Sequence, residues 1–176
     1  MRVMNMKPNK LILSVIFVIA IAAVVPAIAQ GNSFSDPIVE YSFQLPEPLW
    51  KMTVKPSATS PNVEYVYGDR ADGHFEIRKL TVPRDSIMTD IISAEEKKLQ
   101  WRQGFVAGKE ENFAGKFRGT VFNFEYVAGG KNMGGRFYFL KTNETTIYML
   151  RFTGPKDGLR VIRSQTDSIA RTFAVK

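Results

Sequence analysis

Thr145-Thr-Ile-Tyr-Met-Leu-Arg-Phe152 and Phe117-Arg-Gly-Thr-Val-Phe-Asn-Phe-Glu-Tyr-Val127 are the two stretches that decide the fold. In the first, Tyr148, Leu150 and Phe152 alternate with Ile147 and Met149. In the second, Phe122, Phe124 and Tyr126 alternate with Phe117 and Val121. A strand that is apolar on alternate positions of both sets is covered on both faces. A sheet with one wet face would instead show apolar residues alternating with polar ones.

Working outward, residues 109–152 read as an antiparallel meander. Its strands are Lys109–Phe113, Phe117–Val127, Gly135–Leu140 and Thr145–Phe152. They are joined by turns at Ala114-Gly115, Ala128–Asn132 and Thr142–Glu144. Thr153–Gly158 reads as a further turn. After it, Leu159, Ile162, Thr166, Ile169, Ala170 and Phe173 fall on one helical stripe. Upstream, a helix opens at Asp85 or Ser86 and runs to about Phe105, anchored by Ile87, Ile91, Ala94, Leu99 and Trp101. Ser93-Ala94-Glu95-Glu96 matches a capping box, so this helix has a second possible start. Gly104 and Gly108 end it. Val63–Tyr67 and His74–Val82 form a hairpin across a Gly- and Asp-rich connection. Ile38–Met52 holds two short strands separated by Pro46 and Pro48, and Lys55–Asn62 is a loop. The expected fold is α+β: an antiparallel sheet with helices on both faces, a three-layer α/β/α sandwich.

One order of elements carries a resemblance. A Tyr41-x-Phe43 strand leads to a Pro-flanked Leu49-Trp50, and a long helix precedes the meander. The chain closes on Tyr148-Met149-Leu150-Arg151-Phe152-Thr153, a Gly/Pro turn, and a helix ending Ser168-Ile169-Ala170-Arg171-Thr172-Phe173. Across Ile38–Phe173 this resembles the PsbP-like α/β/α sandwich superfamily. Its members include extrinsic photosystem subunits, a Ran-binding import factor and small bacterial envelope proteins. The superfamily has no shared catalytic motif, so the resemblance implies binding and assembly, and fold alone does not fix function.

The N-terminus speaks to location. Arg2, Lys7 and Lys10 precede an apolar run, Leu11–Val25, broken only by Ser14. Pro26 and Ala27-Ile28-Ala29 follow. This order is that of a secretory signal peptide cut after Ala29. Leu11–Ala29 also approaches the length of a membrane span, about 17–25 residues. Pro26 and the small residues favour cleavage over a retained anchor. The expected organisation is a signal peptide at 1–29, a flexible leader at 30–37 and a single domain at 38–176, exported to the periplasm or beyond, with no membrane span once the signal is removed. With no cysteine, neither disulfides nor a lipidated N-terminal cysteine is possible, and this combination favours a bacterial envelope. The net charge of +7 overstates basicity: three of the 24 basic residues and none of the 17 acidic ones lie in 1–29. The basic residues of the remainder are scattered, which argues against a nucleic-acid site.

Catalytic readings fail one by one. His74 is the only histidine, and there is no G-x-S-x-G elbow and no thiol. Gly129-Gly130-Lys131-Asn132 lacks the upstream glycine and the Ser/Thr of a phosphate loop, and it lies between strands. Glu95-Glu96 and Glu110-Glu111 sit at element starts, where acids need no catalytic explanation. The sequence therefore describes a protein that is not an enzyme and needs no cofactor. The leading expectation is an accessory domain docking on an envelope protein. The alternative is a carrier of a small apolar ligand or lipid, with a pocket between helix and sheet near Trp50 and Trp101. Candidate surface residues are Trp50, Tyr65, Tyr67 and Trp101, which could line a groove, and Arg118, Arg136 and Arg151, which could form a basic stripe. Core positions for these aromatics and a solvated sheet edge for the arginines are the simpler accounts.

Overall fold

The computed structural model describes residues 32–68 and 72–176. The expected signal peptide and residues 69–71 of the expected hairpin connection lie outside the described residues. Among the described residues, ten strands and three helices follow in chain order: β1 Asn32–Ser35, β2 Tyr41–Leu45, β3 Trp50–Val54, β4 Glu64–Tyr67, β5 Gly73–Thr81, α1 Met88–Lys97, β6 Val106–Ala114, β7 Arg118–Ala128, β8 Lys131–Lys141, β9 Thr146–Pro155, α2 Lys156–Val161, α3 Arg163–Thr172 and β10 Ala174–Val175.

Seven of the strands form one antiparallel sheet in the order β3-β4-β5-β9-β8-β7-β6. The two strands whose pattern demanded cover on both sides, β9 and β7, lie inside it, with β8 between them. Directly opposed residues share a face, so the register sorts the sheet cleanly. Tyr138 faces with Leu150, Phe152 with Phe75, and Ile77 with Leu150 on the first face. Phe139 sits with Met149, and Phe122 with Phe137, on the second. The first face packs on Ile162, Ile169 and Phe173 of the C-terminal helical region and on Tyr41 and Phe43 of β2. The second packs on Ile92 of α1 and on Leu99. This is the expected α+β architecture with cover on both faces. The C-terminal helices share their layer with a three-stranded sheet, β1-β2-β10, that the pattern did not foresee.

Four differences from the sequence reading have local causes. The expected leader contributes β1, which pairs with β2 from Asn32↔Leu45 to Ser35↔Ser42. Phe34 holds it there, buried and stacked 4.9 Å from Phe43. A lone aromatic among Ser, Asn and Gly gives no periodic signal. Secondly, α1 starts at Met88 behind an uncapped Ile87 and stops at Lys97, and Ser93 sits inside it rather than restarting it. The chain continues in tight turns to Gly104 (φ 63°), because the Gln103 carbonyl accepts the Val127 N–H and Phe105 packs on Phe124. Thirdly, the expected turn at 153–158 is strand and then helix: Thr153, Gly154 and Pro155 extend β9 against Gly135, Gly134 and Met133 of β8. Finally, the single stripe of the last helix is split at Ile162 into α2 and α3, yet its six apolar-face residues are all buried.

The hairpin between β7 and β8 shows turn chemistry directly. Ala128 pairs with Lys131, leaving a two-residue loop of Gly129 and Gly130 at φ 57° and 72°. Two consecutive positive φ values define the turn type that matches strand twist, and glycine adopts them without strain.

Aromatic stacking knits the first core. Phe75 and Phe152 lie 4.4 Å apart and nearly parallel, with Trp50, Tyr65, Phe43 and Tyr138 around one or other of them. Phe152→Ala is expected to lower stability by about 3–5 kcal/mol, read from chemical denaturation of the purified protein. At the rim of this core, Glu40 accepts from Lys79 and from the Tyr148 hydroxyl. The Lys79 bond, then the Tyr148 bond, holds the Glu40 carboxyl below its ordinary value near 4.5, against a small opposing effect of burial. A depressed folded-state pKa adds stability above the unfolded pKa that disappears as pH falls through the folded one. The stability difference between the native protein and Glu40→Gln should therefore be full at about pH 7 and shrink as the pH falls below the ordinary carboxylate range, read from thermal midpoints measured at successively lower pH.

Candidate functional site

Of the seven candidate residues, the structure brings no set of four together. Trp50 is only 3 % exposed and belongs to the first core. Its indole N–H donates to Gln165 Oε1 at 3.0 Å. Gln165 Nε2 in turn donates to the Tyr67 hydroxyl, which donates to Glu47. This chain ties the β3–β4 edge of the sheet to α3. Tyr65 is buried against Phe75, and its desolvated hydroxyl is pushed well above the usual range. Trp50 and Tyr65 lie in the first core, while Tyr67 is half-buried and borders a small cavity with Pro155, Gly158, Val161 and Ile162.

The three arginines do not form a stripe. Arg118 is exposed near the end of β7, opposite Ala114. Arg151 opposes Phe137 on the second face, and Arg136 opposes Phe152 on the first. Arg136 is 8 % exposed and fully engaged: Nε donates to the Tyr138 hydroxyl at 2.7 Å, Nη1 to Asn123 Oδ1 at 2.7 Å, and Nη2 to Asp167 Oδ1 at 2.9 Å. The Tyr138 hydroxyl donates onward to Asp167 and contacts Thr166 Oγ1. Burial disfavours the Arg136 charge, but Tyr138 and Asp167 outweigh it and raise its pKa. Arg151 donates to Glu76 Oε2 at 2.9 Å and lies 4.7 Å over the Phe137 ring. Its pKa is lowered by burial and then by Arg78, with Glu76 opposing. The sequence pattern marks both arginines as basic but not as buried, because β8 and β9 show the same alternation whether a polar position faces water or a carboxylate across the layer.

Of the four aromatic candidates Trp101 is the exposed one, at 80 %. It sits in the turns after α1. The Arg102 guanidinium lies 5.7 Å from its ring and 4.5 Å from that of Tyr126 on β7. Arg102 Nε is buried without a hydrogen-bond partner, and among the described residues Arg102 makes no ion pair. Arg102 and Tyr126 escaped the sequence reading, since only the turn geometry after Lys97 brings residue 102 over β7. From Lys97 to Lys109 the chain carries Lys97, Lys98, Arg102 and Lys109 and no acidic residue. Lys98 is paired with Glu95, so the positive charge beside the exposed indole is that of Arg102. Among the described residues no group of three or more His, Cys, Asp or Glu side chains is placed to hold a metal ion, and no helix is long and apolar enough to cross a membrane.

The buried network makes a measurable claim. Tyr138→Phe leaves the shape of the core intact but strips the Arg136 Nε of its acceptor. It is expected to cost about 1–3 kcal/mol, read by denaturation, with the near-ultraviolet signature of the fold retained.

No family model and no curated protein matches the chain. Solved structures do. The chain is similar to the Ran-binding protein Mog1p of Saccharomyces cerevisiae (TM-score 0.61, 10 % identity, 82 % of this chain and 95 % of that one). It is similar to cyanobacterial PsbP (CyanoP) of Synechocystis sp. PCC 6803 (TM-score 0.58, 16 % identity, 82 % and 92 %). It is also similar to LpqN of Mycobacterium tuberculosis, described as involved in cell envelope biogenesis (TM-score 0.54, 13 % identity, 84 % and 86 %). Of a longer protein from Bacteroides thetaiotaomicron (TM-score 0.56, 18 % identity), 84 % of this chain spans 49 %. At these identities the likeness is one of fold, and the fold is the PsbP-like one.

Proposed function

We propose that this chain is an exported, non-enzymatic accessory domain that docks on an envelope protein through the shoulder formed by Trp101, Arg102 and Tyr126. The exposed indole carries the reading. A tryptophan left in water on a protein that buries its other tryptophan gains from being covered, and Trp, Tyr and Arg are the residues that dominate binding energy at interfaces. Arg102, which lies beside the indole and makes no ion pair among the described residues, sets the partner's chemistry: a carboxylate at the rim of an apolar hollow that accepts the indole. Mog1p, of the same fold, is a Ran-binding protein, and LpqN is tied by its description to the cell envelope. The basic, apolar, small-residue order of residues 1–29 supports export.

Native mass spectrometry on the protein gently isolated from its own cell envelope tests the reading. A mature chain beginning at Gln30 and carrying a second protein is the expected result. Trp101→Ala should weaken that complex by about 2 kcal/mol or more with the thermal midpoint unmoved, since the side chain is mostly in water. A complex indifferent to Trp101→Ala would remove this shoulder as the docking surface. A full-length chain still holding residues 1–29 would overturn cleavage in favour of an anchor.

A further inference from the structure

On the first face, beside the contact between α2 and β8, lies a groove of about 410 Å³. One side of it is closed where α2 meets the backbone of β8 at Gly134. A Cβ added there would come within 3.3 Å of Leu159 Cδ1 on α2, so a side chain larger than hydrogen would intrude between strand and helix. Leu159 and Val106 form apolar walls, and Val106 is 60 % exposed although it starts a strand. The polar lining is one-sided. Arg136, Lys156, Arg160 and Arg163 border the groove, with Glu125 as the one acidic lining residue.

Carboxylates reach these cations, but loosely. Lys156 pairs with Glu125 at 2.8 Å, Arg163 with Glu111 at 2.9 Å, and Arg160 with Asp157 at 3.5 Å. The six side chains are between 41 % and 89 % exposed. Exposed pairs of this kind contribute little to the fold, so an incoming anion can take their place. Arg163 spends one nitrogen on Glu111 and keeps the rest of a guanidinium fork suited to carboxylate or phosphate. Arg136 is different. It is locked to Tyr138, Asn123 and Asp167, its charge matched by Asp167, and forms a rigid end wall of the groove. The volume lies within the range of small-molecule sites, about 300–1,000 Å³.

We infer that this groove binds a small amphipathic anion: a carboxylate or phosphate head held by Arg160, Arg163 and Lys156, with a short hydrocarbon tail lying between Leu159 and Val106. Neither half of the lining suffices alone. A bare anion leaves the apolar walls wet, and a neutral hydrocarbon leaves the cations facing it. The site is a pocket between helix and sheet, at a different place from the one the tryptophans suggested, and it is independent of the docking shoulder.

Isothermal titration of the purified protein with octanoate, octyl phosphate, octanol and inorganic phosphate separates the possibilities. The two anionic amphiphiles should bind, and octanol and inorganic phosphate should each bind about tenfold more weakly or worse. The double substitution Arg160→Gln/Arg163→Gln should weaken octanoate by about tenfold or more with an unchanged thermal midpoint, as both side chains are exposed. Val106→Ser should weaken octanoate but leave inorganic phosphate untouched. Octanol binding as well as octanoate would reduce the groove to a greasy surface. Inorganic phosphate binding as well as octanoate would reduce it to a patch of charge, and no binding by any probe would overturn the site outright. Trp101→Ala should leave all four titrations unchanged, so failure of the docking proposal and failure of this one are distinguishable.

Discussion

The strand pair β8–β9 has no polar side to offer water. From Phe137 to Leu140 every residue is buried, and across from it Ile147 to Leu150 is buried as well. Successive side chains point to opposite faces, so this one pair obliges the molecule to cover its sheet twice. The rest of the architecture answers that obligation. On the second face α1 and the turns after it bring Ile92 and Leu99 onto the sheet. On the first, the C-terminal helical region supplies Ile162, Ile169 and Phe173, and β2 supplies Tyr41 and Phe43.

The cover is unequal, and the inequality creates the surfaces of interest. The first face needs two kinds of element to fill it, and where α2 stops short of β6 and β7 a groove remains. The second face is covered by a helix that ends after ten residues. The chain must then return to the start of β6 at the sheet edge, and it does so in tight turns that lay Arg102 over Tyr126 and push Trp101 into solvent. Both β7 neighbours of these features, Asn123 toward the groove and Tyr126 beneath the shoulder, belong to the same strand. The exposed chemistry of the protein is thus the by-product of how two short covers fit a long sheet.

Charge is handled in two ways that the sequence does not separate. Arg136 and Arg151 are taken into the layers and matched there, one by Asp167, Asn123 and the Tyr138 hydroxyl, the other by Glu76 and the face of Phe137. A buried charge is tolerated when it is paired and hydrogen-bonded. The pairs along the groove are partly in water and contribute little to the fold. Arginine is one letter in either setting, and only its partners, brought from distant parts of the chain, decide which kind it is.

What could be read from the chain alone was whatever depends on local period and punctuation. Two-sided apolar strands required a doubly covered antiparallel sheet, Gly129-Gly130 required a hairpin, and the Leu159–Phe173 stripe required a helical face turned inward. Those signals are short-range, so they survive without coordinates. The three-stranded side sheet, the early end of α1 and the roles of the candidate residues were not legible. Phe34 becomes a core residue only because β2 is beside it, and Trp50 only because Gln165, far along the chain, accepts its N–H. Trp101 is left outside because a Gln103 carbonyl is claimed by Val127. Burial and partnership are properties of pairs of residues remote in sequence, and it was the tertiary structure that chose the pairs.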